Sequence, residues 1–111
     1  MTEPETPFSA TVDVEGDVIR VVVTGVVDPA TAGTLEGEIR AALFGAPDAT
    51  QLDLDLSAVS FMDSSGLRVL IGAMQAVRDR DGTLVVRNPS PTVAQLLEVT
   101  KLTGELTIAT D

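Results

Sequence analysis

Residues 57–76 constrain the fold most strongly, because they join the end of an apolar strand to an amphipathic helix through a short turn. The apolar residues after the turn recur at the spacing of one helix face. They are Leu67, Leu70, Ile71, Met74 and Val77. The helix is therefore predicted to begin near Asp63, with Asp63 or Ser64 as the N-cap. The side chain of the N-cap accepts hydrogen bonds from backbone N–H groups that have no partner within the helix. Those N–H groups and the helix dipole would tolerate an added phosphate.

The first half of the chain indicates a hairpin followed by a helix. Residues 8–14 and 18–23 are rich in β-branched side chains and flank a Glu-Gly-Asp turn, which predicts two antiparallel strands. Asp28 followed by Pro29 predicts an N-cap and a first helical position. Residues 44–50 are predicted to form a loop. The helix between them places four apolar residues on one face: Leu35, Ile39, Ala42 and Leu43.

The second half repeats the alternation of strand and helix. Residues 51–56 and 83–87 are predicted strands, and Gly82 is the predicted C-cap of the helix that separates them. Ser90, followed by a proline, is the predicted N-cap of a further helix. Residues 106–109 are a candidate final strand.

This order, ββαβαβα with a possible last strand, predicts a single α/β domain. Its small mixed sheet of four to five strands would be covered by helices and joined by right-handed crossovers. A chain of 111 residues fits one domain. Residues 1–7, which are polar and contain two prolines, are predicted to be a disordered tail, and residues 8–111 to be the domain.

Two carboxylates, Asp53 and Asp55, share one face of the strand at 51–56, opposite three leucines. Paired carboxylates admit a metal-binding or acid–base interpretation. A sheet with one face covered and the other open to water gives the same alternation. The second interpretation is favoured, so both carboxylates are expected to face solvent and no metal site is assigned.

Composition excludes several classes of function. The net charge of -10 and pI near 4.1 oppose binding to nucleic acid or to anionic membranes. The absence of cysteine excludes disulfides and thiolate metal sites. There is no apolar run of about 18 residues and no basic, apolar leader. A cytoplasmic protein without a cofactor is therefore expected.

The absence of histidine argues against an enzyme. A serine nucleophile usually needs a neighbouring imidazole, and Lys101 is the only lysine that could replace it. If Ser64 reacts, the base and the electrophile must therefore come from another protein. No catalytic residue is assigned.

The string SFMDSSGL at residues 60–67 resembles the phosphoacceptor segment of the STAS family, specifically the small bacterial anti-sigma-factor antagonists. In that family a partner kinase phosphorylates the serine that follows the aspartate, which is Ser64 here. Weaker similarity extends over residues 24–28 and 88–91. Val26 departs from the family, which often has an acidic residue there, and this leaves the identity of the partner open.

The resemblance implies partner switching in the regulation of transcription. The unphosphorylated protein would bind an anti-sigma factor that is also a serine kinase, and so release a sigma factor. Phosphorylation of Ser64 would end this binding, and a metal-dependent serine phosphatase would restore it. The protein would be a monomer or a weak dimer. An alternative is a STAS scaffold or sensor that binds a protein, a nucleotide or another small ligand without phosphorylation control, in which the Asp-Ser-Ser-Gly segment is only a capping turn.

The resemblance also implies a partner-binding surface around Ser64. The residues assigned to it are Asp28, Phe61, Met62, Asp63, Ser65 and Gly66. Phe61 and Met62 contribute only if exposed, and burial under the helix is the favoured alternative for Phe61 and an equal one for Met62. Ser65 is a rival acceptor, but its place in the first turn suits a bond to local backbone better.

Overall fold

The computed structural model describes residues 7–110, which form a five-stranded mixed sheet with three α-helices. Residues 1–6 of the predicted tail, and Asp111, lie outside the described residues. The elements, in chain order, are β1 Ser9–Glu15, β2 Val18–Val27, α1 Ala32–Gly45, β3 Gln51–Met62, α2 Ser64–Arg78, β4 Thr83–Arg87, α3 Pro91–Val99, a 3-10 turn Leu102–Gly104 and β5 Thr107–Ala109.

The strands lie in the sheet in the order in which they occur in the chain. β1 and β2 form an antiparallel hairpin closed at the pair Glu15 and Val18, with Gly16 at a φ of 58°. That positive φ is readily adopted by glycine, so the turn residue suits the turn. The pairs β2–β3, β3–β4 and β4–β5 are parallel. The predicted α/β class and element order are confirmed, and the final strand is present.

The core lies between the sheet and the predicted apolar faces of the helices. Leu52, Leu54 and Leu56 of β3 are fully buried, as period-two alternation requires. α1 and α2 pack against each other. Most of the residues predicted for their inner faces are buried: Leu35, Ile39, Leu43, Leu67, Leu70, Met74 and Val77.

The boundaries of α1 differ from the prediction at both ends. The helix begins at Ala32 because the preceding residues close a separate turn, in which the Asp28 carbonyl accepts Thr31 N at 3.1 Å and Ala32 N at 2.8 Å. Pro29 therefore lies in the turn and not in the helix. At the other end Phe44 and Gly45 belong to the helix, so the predicted loop is shorter.

The predicted C-cap of α2 is also corrected. The helix ends at Arg78, and the left-handed position after it is occupied by Asp81, at a φ of 59°. Gly82 instead allows a close approach of backbones. A Cβ there would lie 2.6 Å from the Thr50 carbonyl oxygen. Glycine therefore suits this position because its backbone packs against the loop that contains Thr50, and not because it caps the helix.

Asp53 does not face solvent as predicted, since its side chain is only 1% exposed. Arg87 Nε donates to Asp53 Oδ2 at 2.6 Å, and Gln51 Nε2 donates to Oδ1 at 2.7 Å. Arg20 Nη2 lies 3.7 Å from the same carboxylate. Three side chains from three strands therefore cover this carboxylate and satisfy it. No cluster of three or more acidic, histidine or cysteine side chains suited to a metal occurs within residues 7–110.

Candidate functional site

The predicted site forms at the amino end of α2, where β3 passes into the helix. Asp63 is the N-cap, and its Oδ1 accepts Ser65 N at 2.8 Å. Asp63 N donates to the Val27 carbonyl at 3.2 Å, which fixes this turn to the end of β2. Of the two predicted N-caps, Asp63 is the one observed. One hydrogen bond thus caps the first turn of α2, and the other ties the start of the helix to β2.

Ser64 is the first residue of α2 and is exposed, whereas Ser65 is half-buried. The backbone N–H groups of a first helical turn have no partner within the helix, apart from those that a cap accepts. Together with the helix dipole they favour an anion by roughly 0.3 to 2 kcal/mol. The geometry therefore presents one serine hydroxyl to solvent at a position that tolerates negative charge.

The β2–α1 turn lies beside this helix end. Asp28 Oδ1 accepts Ala30 N at 2.9 Å, and Thr31 Oγ1 donates to the Val26 carbonyl at 2.8 Å. The Asp28 carboxylate therefore caps a turn that precedes α1 and does not cap the helix itself. The contribution of Thr31 was not foreseen, although its spacing from Asp28 is typical of side chains that stabilise a local turn. Because Asp63 N bonds Val27, the turns carrying Asp28 and Asp63 are neighbours.

Phe61 is exposed, against the expectation that it is buried, whereas Met62, for which exposure and burial were equal alternatives, is buried. Phe61 is 47% exposed and pairs in register with the half-buried Val26 of β2. Met62 is 3% exposed and lies beneath the first turn of α2. Successive strand residues point to opposite faces, so Phe61 lies on the face opposite to Met62. Met62 is therefore a core residue and not a surface for a partner.

Gly66 is buried and supports the site from inside. A Cβ at this position would lie 2.9 Å from Met62 Sδ and 3.0 Å from Val27 Cγ1, and closer still to Met62 Cγ. Only a glycine allows α2 to sit this near to the ends of β2 and β3 without displacing them. Gly66 thus sets the position of Ser64 and has no side chain to offer a partner.

Comparison with known proteins agrees with this geometry. The family model described as "Mlab, STAS domain" matches residues 10–109. The chain therefore belongs to the STAS domain family, as its motif predicted. None of the helices within residues 7–110 is long and apolar enough to cross a membrane.

Relatives of this chain include anti-sigma factor antagonists. It is 33% identical over 92 residues to the anti-sigma-B factor antagonist of Listeria monocytogenes, over 83% of this chain and 79% of that protein. It is 31% identical over 78 residues to the anti-sigma F factor antagonist of Lysinibacillus sphaericus, over 70% of this chain and 66% of that one.

Solved structures that superpose on this chain also include anti-sigma factor antagonists. An anti-sigma factor antagonist from Mycobacterium paratuberculosis superposes with a TM-score of 0.79 at 28% identity, covering 98% of this chain and 90% of its own. The phosphorylated form of the Bacillus cell fate determinant SpoIIAA superposes with a TM-score of 0.71 at 25% identity, covering 93% of both chains. The chain is thus a STAS domain of the group that contains the anti-sigma factor antagonists.

Proposed function

We propose that this protein antagonises an anti-sigma factor and that phosphorylation of Ser64 controls this activity. The observation that carries the proposal is the exposed Ser64 hydroxyl at the first position of α2, beside the Asp63 cap. The similarity to a solved phosphorylated relative supports the same assignment. The partner is an anti-sigma factor with serine kinase activity, and its capture by this protein releases a sigma factor in the cytoplasm.

The chain supplies the acceptor and the kinase supplies the catalysis. Ser64 Oγ attacks the γ-phosphorus of the ATP held by the kinase with Mg²⁺, and the bond from that phosphorus to the β–γ bridging oxygen breaks. ADP leaves, and an acidic residue of the kinase takes the hydroxyl proton. A metal-dependent serine phosphatase returns the hydroxyl by adding water across the Ser64 Oγ–phosphorus bond. No histidine or cysteine of this chain is needed, and it contains none.

The phosphate acts at the interface and not on the fold. It adds about -1.5 to -2 charges to a chain whose net charge is already -10. Within α2 the free N–H groups can donate hydrogen bonds to it, as described above. Against a partner, one unit-charge repulsion at about 4 Å reaches about 4 kcal/mol at an effective dielectric of about 20. Since about 1.4 kcal/mol is a factor of ten in affinity, this is enough to end binding.

The surface around Ser64 indicates how the partner is held. Phe61 and Val26 offer an apolar contact. Asp63 directly precedes Ser64 in the chain, and Asp28 lies in the neighbouring β2–α1 turn. Asp63 is engaged as a cap and Asp28 in its turn, but each carboxylate retains capacity to accept a bond from a basic side chain. We therefore expect an anti-sigma factor surface that combines an apolar contact with lysine or arginine.

The test is capture from a native extract with three baits, Ser64→Ala, Ser64→Glu and, as the matched control, Ser65→Ala. We expect the Ser64→Ala and Ser65→Ala baits to retain an ATP-binding serine kinase and the Ser64→Glu bait to lose it. In a purified reaction with that kinase, Ser65→Ala should accept phosphate and Ser64→Ala should not. If all three baits retain the same partners, the domain is a scaffold or sensor and the proposed switch is wrong.

A further inference from the structure

Phe44 carries the most exposed large apolar side chain within residues 7–110, at 89% of its full exposure. It lies in the last turn of α1, directly after the buried Leu43 and one turn after the exposed Arg40. Its ring therefore projects from the outer surface of α1. A single exposed apolar side chain is normal in a folded protein. What makes this one informative is the surface next to it.

A groove of about 160 Å³ opens between α1 and α2. Its walls are apolar: Ile39 and Leu43 from α1, and Val69, Ala73 and Ala76 from α2. Glu36 and Arg40 border it, joined by an ion pair of 3.1 Å between Arg40 Nη2 and Glu36 Oε1. An apolar cavity of about 150 Å³ is large enough to bind benzene, so the groove has the capacity for one phenyl ring.

The described part of the chain offers few rings that could fill this groove. Phe8 packs against the core, and Phe61 belongs to the surface around Ser64. Phe44 follows the groove residue Leu43 in α1 but does not line the groove in its own copy. We propose that Phe44 of one molecule inserts into the α1–α2 groove of a second copy of this chain, so that the protein forms a weak homodimer.

The proposal requires a closed dimer rather than a filament. Its two-fold axis must lie beside α1, so that each Phe44 reaches the groove of the other molecule at once. The rim is self-complementary under that axis, because Arg40 of one copy can face Glu36 of the other. Each copy carries a net charge of -10, which opposes association over long range and is screened by salt. Dimerisation should therefore strengthen as salt is added.

Gly72 provides the matched variant on the groove side. It lies in the interior of α2, lines the groove, and a Cβ built on it meets no atom within 4 Å. The fold of the single molecule thus has no steric need for glycine here. Gly72→Leu should fill the groove without disturbing the core, because the added atoms enter open space and leucine favours a helix.

The test is sedimentation equilibrium of the purified chain from micromolar to millimolar concentration, at low and high salt. We expect a monomer–dimer equilibrium for the wild type, tighter at high salt. Phe44→Ser and Gly72→Leu should each weaken it by more than about tenfold, the loss expected when an apolar side chain is no longer buried. Phe61→Ser, which removes an exposed ring elsewhere, should leave it unchanged. Circular dichroism should show all three variants folded.

Mixing the two disruptive variants gives a sharper result. Phe44→Ser keeps an open groove and Gly72→Leu keeps the ring, so their mixture can form a heterodimer with one ring in one groove. We expect the mixture to associate more strongly than either variant alone.

Three results would overturn the proposal: a wild type that stays monomeric throughout, a dimer insensitive to Phe44→Ser, or open-ended polymers. Binding of a free aromatic compound by a persistent monomer, seen as amide shifts confined to Val69 and Ala73, would assign the groove to a small ligand instead. None of these results bears on Ser64, because the groove and the phosphoacceptor are tested by different variants.

Discussion

Gly66 shows how much of the geometry around Ser64 depends on one missing methyl group. The first turn of α2 rests on Met62 and Val27, and the space between them is too small for a Cβ. Met62 is therefore tied to the site although it is buried. The position of the exposed Ser64 therefore depends on the packing of Met62 and Val27 beneath the first turn of α2.

Gly66→Ala should lower the free energy of unfolding by about 1 to 3 kcal/mol, because the added carbon forces Met62 and Val27 to move. The matched control is Gly72→Ala, also within α2, where a Cβ meets nothing within 4 Å. That control should raise stability by roughly 0.5 to 1 kcal/mol through helix propensity. Urea denaturation of the two variants measures the difference. Equal effects would show that the contact with Met62 is relieved without cost.

Asp63 contributes to stability through its cap. Asp63→Ala removes the acceptor of Ser65 N and should cost about 0.5 to 2 kcal/mol, whereas Asp63→Asn keeps an acceptor and should cost much less. Ser64→Ala, one residue later, should leave stability nearly unchanged because Ser64 is exposed. The same urea titrations report all three. A loss from Asp63→Asn as large as that from Asp63→Ala would contradict the capping role.

At the scale of elements, β3 is the central strand of the sheet and contributes buried side chains from both of its faces. Its leucines form the core on one face, and its buried carboxylate on the other face lies between arginines of the flanking strands. Register places them there, since Arg20 of β2 pairs with Asp53 and Arg87 of β4 pairs with Asp55. The parallel sheet thus brings together charges that are far apart in the chain.

The two arginines should differ in their contribution to stability. Arg87→Ala should lower the free energy of unfolding by about 1 to 3 kcal/mol, because it removes a short hydrogen bond to a buried carboxylate. Arg20→Ala should cost less than about 1 kcal/mol, because Arg20 is half-exposed and 3.7 Å from Asp53. Unfolding of the Arg87→Ala and Arg20→Ala variants by urea or heat measures the two losses of stability. The reverse order would mean that Arg20 is the principal partner in solution.

At the scale of the whole molecule, a charge at Ser64 should change a surface and leave the fold intact. The structural reason is that the exposed hydroxyl sits on a helix end whose cap and core contacts do not involve it. Under the proposed switch, the effect on a partner would come from charge repulsion across the interface.

Ser64→Glu should accordingly perturb the backbone amide spectrum only near the amino end of α2 and in the adjacent β2–α1 turn. Heteronuclear NMR of the wild type and the variant tests this, with Ser65→Ala as a control for local disturbance of the same turn. Shifts that spread through β4, β5 and α3 would show a change of fold and would contradict the surface mechanism.

The sequence by itself determined the α/β class, the order of the elements, the inner faces of the helices and, to within Asp63 or Ser64, the N-cap of α2. Each of these depends on periodicity or on hydrogen bonds between near neighbours, so the information is local. The resemblance of the segment around Ser64 to a known motif was equally readable.

Only the tertiary structure decided which side chains near Ser64 reach solvent and which polar groups are buried. The placement of Phe61 and Met62 depends on how α2 sits over the ends of two strands, and the burial of Asp53 depends on arginines from two neighbouring strands. The exposure of Phe44 likewise follows from where α1 ends. Such contacts join residues distant in the chain, and their geometry is fixed only when the elements pack.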